Sequence, residues 1–254
     1  MTNRRVAKRE RVERNRARAA VLESSFSDPS TSKIFIDCSF SHVMDDFERN
    51  SLVVQLMQSY SHLRNSGSRA QMFFTSVDDS LDARIIKQGG DQWVVHRHRE
   101  ALEEVLREDL ERVIVMSPDA AEELTPGDVA MERNIFVIGG IVDRCVSRNE
   151  TCHKALRLGL RARRLPVDSD RFVNKVFNID SVIQFLLRAM DAKPPSREAL
   201  VSLLEEVLPS RKKKQSEKVT ADNKKVKAIN AVLRPDPSNA LKLDRYSVVD
   251  VFRR

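Results

Sequence analysis

Two aspartates sit where apolar runs end. KIFID closes on Asp37, and NIFVIGGIVD carries Asp143 just past Gly139-Gly140. A carboxylate so placed can act as a general base when a bound group must lose a proton. In open α/β sheets, ligands bind beyond the carboxyl ends of the strands. Three such ends stand out: Met116-Ser117-Pro118, Gly139-Gly140 and Leu165-Pro166. Glycine has no Cβ, so the backbone at the second can approach a ligand closely. Each feature also has a plainer reading. Gly-Gly makes a tight turn, Asp37 a turn or helix cap, and Asp143 an N-terminal cap for the next helix.

Other chemistries find less support. No GxGxxG follows a strand, and there is no Walker A sequence. Cys145, Cys152 and His153 lack the paired CxxC spacing of a zinc site, and no metal is expected. His96 and His98 bracket an arginine in what reads as a basic, solvated, nucleic-acid-facing patch. No GxSxG elbow occurs, and the cysteines have no evident base partner, which leaves nucleophilic catalysis without a basis.

The elements that must position these groups follow from periodicity. KIFIDCSF, RAQMFFTSV, NIFVIGG and the start of RVIVMSPDAAEELT read as strands. FERNSLVVQLMQSYSHLR places Leu52, Val53, Leu56, Met57, Tyr60 and Leu63 at helical spacing. ARIIKQGGDQWVVHRH is ambiguous, with a strand after the Gly-Gly turn as one reading, and EALEEVLREDL reads as a polar helix or turn. Ser117-Pro118-Asp119 is expected to open a helix, with Pro118 in its first turn. NETCHKALRLGL is expected to be a helix closed by Gly159, and ARRLPVD a short strand. Asp180 or Ser181 is expected to cap SVIQFLLRAMD, and Pro209 to stop SREALVSLLEEVLP. Alternating strands and helices predict an α/β core with a mostly parallel sheet.

The chain has 254 residues, 32% of them charged, and a net charge of +7. That balance favours a polyanionic partner, nucleic acid ahead of a membrane surface, although a well-solvated surface has the same composition. Three cysteines at these spacings fit a reducing compartment. No apolar run approaches the roughly 20 residues that span a bilayer. The N-terminal MTNRRVAKRERVERNRARAAVLESSF is Arg-rich, as a mitochondrial presequence would be, but Glu10, Glu13 and Glu23 are out of character for one. Nucleus or cytoplasm is the expected location, with the mitochondrion as the alternative.

Several motifs together carry a resemblance. VIGGIVD, then a short basic loop, TCHKALRLGL and RRLPVD, resembles the SPOUT-class tRNA methyltransferases that modify N1 of the purine at tRNA position nine. IDCSF, SLVVQLMQSY, NKVFNIDSVIQFLL and VLPSRK resemble further family segments, in the same order, from about Lys33 to Lys212. The stretch from Asp78 to Arg112 departs from the pattern. SRNETC replaces the second half of the basic loop, and the segment between Leu165-Pro166 and Asn174-Lys175 is shorter than usual.

The resemblance implies a SPOUT-type parallel sheet with a C-terminal trefoil knot over 33–212. A basic tail precedes it over 1–32, partly helical or disordered, and another follows over 213–254. It implies S-adenosylmethionine as cofactor, held by Ser117, Gly139, Gly140, Thr151, Leu165, Lys175, Val176 and Phe177. It implies Asp143 as the catalytic base, with Asp37 and Gln55 as further catalytic residues in supporting or base-orienting roles. Guanine N1 carries a proton that must leave before its lone pair can take a methyl group, and Asp143 would accept it. Adenine N1 has no such proton, so Asp143 permits guanine without excluding adenine. Arg144, Arg148, Lys154, Arg163, Arg164 and the N-terminal arginines become candidates for tRNA phosphates. A monomer is expected. The alternative implied is a tRNA-binding subunit of a mitochondrial, RNase P-like assembly with nuclease partners and vestigial methylation.

Overall fold

The computed structural model describes residues 2–142, 149–167 and 177–208. Six strands, β1 (Lys33–Asp37), β2 (Gln71–Thr75), β3 (His96–Arg97), β4 (Val113–Met116), β5 (Ile135–Gly139) and β6 (Arg161–Arg163), form one sheet. Its order is β3-β2-β1-β5-β4-β6, and every pairing is parallel. The helices are α1 (Thr2–Ser25), α2 (Asp46–Ser66), α3 (Asp79–Lys87), α4 (Leu102–Val105), α5 (Pro126–Ala130), α6 (Glu150–Arg157), α7 (Ile179–Ala192) and α8 (Arg197–Val207).

Both faces of the sheet are covered, so its central strands β1, β2, β4 and β5 are apolar through their middles. Alternation sorts the residues by face. Ile34, Ile36, Met72, Phe74, Ile114, Phe136 and Ile138 join the larger core with residues of α2, α7 and α8. Phe35, Val113, Val115, Ile135 and Val137 join a smaller one with Leu102, Leu106, Ala155 and Leu160.

Local chemistry sets most helix ends. Asp45 and Glu48 form a capping box at the start of α2, and Gly67 ends it in the left-handed region at φ 78°. Asp78 caps α3 through the Leu81 N–H. Gly159, at φ 65°, follows the end of α6 as expected.

Two expectations are corrected, and one ambiguous stretch is resolved. Pro118 opens no helix. Ser117 N–H donates to the Arg163 carbonyl at 2.9 Å and Leu124 N–H to that of Arg164 at 2.8 Å, so pairing beside β6 claims the segment. The next helix starts at Pro126, behind the Thr125 cap. ARIIK lies within α3, and only His96–Arg97 of the ambiguous stretch is strand. The start of α7 is capped neither by Asp180 nor by Ser181. Asn178 holds the N-cap position without a side-chain bond, and Gln55 Oε1, from α2, accepts the Ile179 N–H at 2.8 Å. Pro209 and residues 143–148 and 168–176 lie outside the described residues.

His96 also departs from its expected solvated patch. Its ring is stacked between Phe26, at 4.0 Å, and Phe73, at 4.2 Å, and its Nε2–H donates to the Phe26 carbonyl at 3.0 Å. Leu22 and Ser25 are buried beside it, and Gln71 Nε2 donates to the Asp28 carbonyl, so the end of α1 is tied to the sheet edge. Burial, outweighing the bond to Phe26, holds the His96 pKa below its ordinary 6.5. The unfolded chain therefore binds this proton more readily. The stability His96 contributes is fully present above pH 6.5 and is lost as the pH falls through its lower folded value. His96→Phe, which keeps the stack, should flatten the fall in melting temperature as the pH drops below 6.5. A slope equal to that of the parent chain would count against this account.

Candidate functional site

The chain leaves β1 in one direction to build β2 and β3, then crosses to build β4, β5 and β6 on the other side. The β1–β5 seam is therefore the topological switch point, where open α/β sheets hold their ligands. Register puts Asp37 opposite Gly139 at its carboxyl end. Met116 pairs with Ile138 on one side and Arg163 on the other, so the segments after β4, β5 and β6 leave the sheet side by side. Those are the three strand ends picked out in the sequence.

Both glycines are required by close packing. Gly140 N–H donates to the Asp37 carbonyl at 2.8 Å. A Cβ on Gly140 would lie 2.9 Å from that same oxygen and 3.2 Å from Cys38 Cα. The space a Cβ would take at Gly139 is filled by Thr151 of α6.

Asp37 is 2% exposed. Its Oδ2 meets Lys154 Nζ at 2.7 Å, and its Oδ1 accepts the Ser39 N–H at 3.2 Å. Ser117, Gly139, Gly140 and Leu165 are buried at the three strand ends, and Thr151 is half-buried. Val142, after β5, and Val167 and Phe177, both between β6 and α7, are partly buried against the larger core. These apolar side chains suit the adenosine part of a nucleoside ligand. Asp143, Arg144, Arg148, Lys175 and Val176 lie outside the described residues.

Three candidates for RNA contact are committed elsewhere. Lys154 is held by Asp37. Arg163 pairs with Glu122 at 2.7 Å and Asp128 at 3.2 Å. Arg164 donates to the Ala120 carbonyl at 3.1 Å and pairs with Glu123 at 3.3 Å. In contrast, Lys8, Arg9, Arg11, Arg14 and Arg16 are exposed along α1. Neither described thiol is activated: burial and then Asp37 push Cys38 up, and burial and then Asp119 push Cys152 up.

Sequence reasoning missed Asp119, whose Oδ2 accepts the Asn149 N–H at 3.1 Å. The Ser-Pro-Asp turn was its only signal, and it reads equally well as a helix start.

The all-parallel sheet, with three strand ends gathered beside the β1–β5 switch, is an α/β fold, and its structural neighbours are of the SPOUT class. The fold is shared with the crystal structure of a full-length spTrm10–SAH complex, at a TM-score of 0.61 and 25% identity, covering 71% of this chain and 97% of that one. A dual-specific Trm10 from Thermococcus kodakaraensis shares it at a TM-score of 0.56 and 20% identity, over 70% and 99%.

Residues 1–213 match the family model of the tRNA (guanine(9)-N(1))-methyltransferase TRM10/TRM10A, and the chain belongs to that family. Relatives include the tRNA (guanine(9)-N1)-methyltransferases of Debaryomyces hansenii and Schizosaccharomyces pombe. The first is 33% identical over 54% of this chain and 39% of its own length, the second 30% over 61% and 54%. The tRNA methyltransferase 10 homolog A of Homo sapiens is 27% identical over 78% and 58%. The aligned region thus spans between 39% and 58% of the length of these relatives.

Two substitutions test the geometry. Gly140→Ala should destabilise the fold by about 1–3 kcal/mol, because its neighbours are backbone and must shift. Gln55→Leu leaves the Ile179 N–H unpaired and should cost about 1–2 kcal/mol. Urea denaturation reads both, and unchanged midpoints would refute them.

Proposed function

We propose that this chain transfers a methyl group from S-adenosylmethionine to N1 of guanine at position 9 of tRNA. The observation that carries the reading is the glycine-lined switch point, where three strand ends converge in a chain of this family. S-adenosylmethionine, when bound, supplies an electrophilic methyl group. Gly140, Ser117, Leu165 and Phe177 would hold and orient it. Asp143, just beyond the β5 end, would accept the N1 proton of guanine as the new bond forms, contributing about 10²–10⁴-fold. Holding base and methyl donor in line supplies much of the rest.

The target base lies in the folded tRNA core, so extruding it costs a few kcal/mol that phosphate contacts must offset. The exposed basic face of α1, together with Arg144 and Arg148, is placed in that role. Shape and backbone would dominate such recognition. Asp37 and Gln55 act from behind the site, through Lys154 and the start of α7, rather than on the base itself.

The test is methyl transfer from labelled S-adenosylmethionine to a G9 tRNA transcript and its A9 variant, with the product nucleoside identified by mass spectrometry. N1-methylguanosine at position 9 is expected, and Asp143→Asn should lower turnover on G9 by about 10²–10⁴-fold while still binding cofactor. Binding of tRNA without methylation of either transcript would overturn the reading.

A further inference from the structure

We infer that Lys154 is a positioning residue whose ion pair with Asp37 anchors α6 against the end of β1, and that it does not contact tRNA phosphate. This rests on the cofactor cleft proposed above and adds to it what holds one wall in place.

The argument begins with how little apolar burial α6 has. It is 8 residues long, and Ala155 is its buried residue. Leu156, its largest apolar side chain, is 68% exposed. Within the helix, burial of one methyl group contributes little, so polar ties add to the Leu158 and Leu160 contacts that follow it. Lys154 Nζ reaches Asp37 Oδ2 at 2.7 Å, Ser39 Oγ at 3.0 Å and Glu103 Oε2 at 3.6 Å. The Lys154 side chain is 13% exposed and that of Asp37 3%. The same helix sets Thr151 against Gly139, and the Asn149 N–H just before it donates to Asp119. One ammonium therefore links β1, α4 and α6 beside the β5 end. An ammonium so enclosed has exchanged water for carboxylates and has no open face for a phosphate.

The chemistry separates this role from phosphate binding. Removing one partner of a buried pair strands the other charge, whereas removing both strands neither. Coupled residues then show non-additive effects. Lys154→Met, Asp37→Asn and the double variant are to be made in the full chain. Three measurements apply: melting temperature, S-adenosylhomocysteine affinity by calorimetry, and the salt dependence of binding to a tRNA transcript.

Each single variant should melt lower and bind S-adenosylhomocysteine tenfold or more weakly. The double variant should melt above Lys154→Met and lose less affinity than the product of the singles. The salt slope should be unchanged in Lys154→Met, whereas a lost phosphate contact would reduce it by about 0.7–0.9.

A reduced slope with unaltered S-adenosylhomocysteine affinity would overturn the inference, as would single effects that simply multiply. Should Lys154→Met fail to fold, recovery of a folded double variant supports the pair, and an unfolded one overturns it. A parent chain that binds no S-adenosylhomocysteine would sink the cofactor reading instead, while the melting comparison still decides the pair.

Discussion

The pairing of β1 with β5 is the constraint that the rest of the structure obeys. Strands adjacent in space but separated by most of the domain in sequence must meet in register from Lys33 to Asp37 and from Ile135 to Gly139. Because the sheet is parallel and covered on both faces, this seam lies in its interior, and its backbone polar groups must be satisfied there. The ladder does so along its length, and the Gly140 N–H bond to the Asp37 carbonyl extends it one step past the last paired strand residue. A side chain at 140 would not fit that step. The Gly-Gly pair thus serves the fold first. It leaves the chain turning away from the sheet at the switch point, where an open α/β sheet has room for a ligand.

Charge is distributed with a similar economy. The chain carries a net +7, yet several cations nearest the strand ends neutralise carboxylates of the same chain. Arg163 and Arg164 bind the segment after β4 to β6, and Lys154 binds α6 to β1. The cationic side chains left in water are concentrated elsewhere, notably along α1. Its last turn is held by the Phe26–His96–Phe73 stack and by Gln71, while most of its length up to residue 17 is exposed. A domain presenting a basic helix from one anchored end suits a large polyanion.

Much of this architecture was legible from residues alone. Runs such as KIFID, VIVM and NIFVIG are too apolar for anything but a buried strand, and their alternation with amphipathic stretches dictates a parallel α/β sheet. Gly159 was legible as the end of α6 because it acts on its own neighbours; Asp45, Asp78 and Gly67 act as locally but were found only in the structure. The three strand ends, and the residues around them that resemble the family, were visible in the same way.

What only the tertiary structure decided are the contacts made across long sequence separations. Gln55 caps a helix 124 residues away, and Lys154 finds Asp37 across 117 residues. Nothing local distinguishes a lysine that will meet a buried carboxylate from one that will face water. The same holds for Pro118, whose sequence suits a helix start until β6 supplies competing hydrogen bonds, and for His96, whose ring is covered on one face because Phe26 stacks on it. The sequence by itself determined which segments are strand or helix, because periodicity and capping are local. The packing determined which polar groups remain for function, because a charge's partner is chosen by the fold.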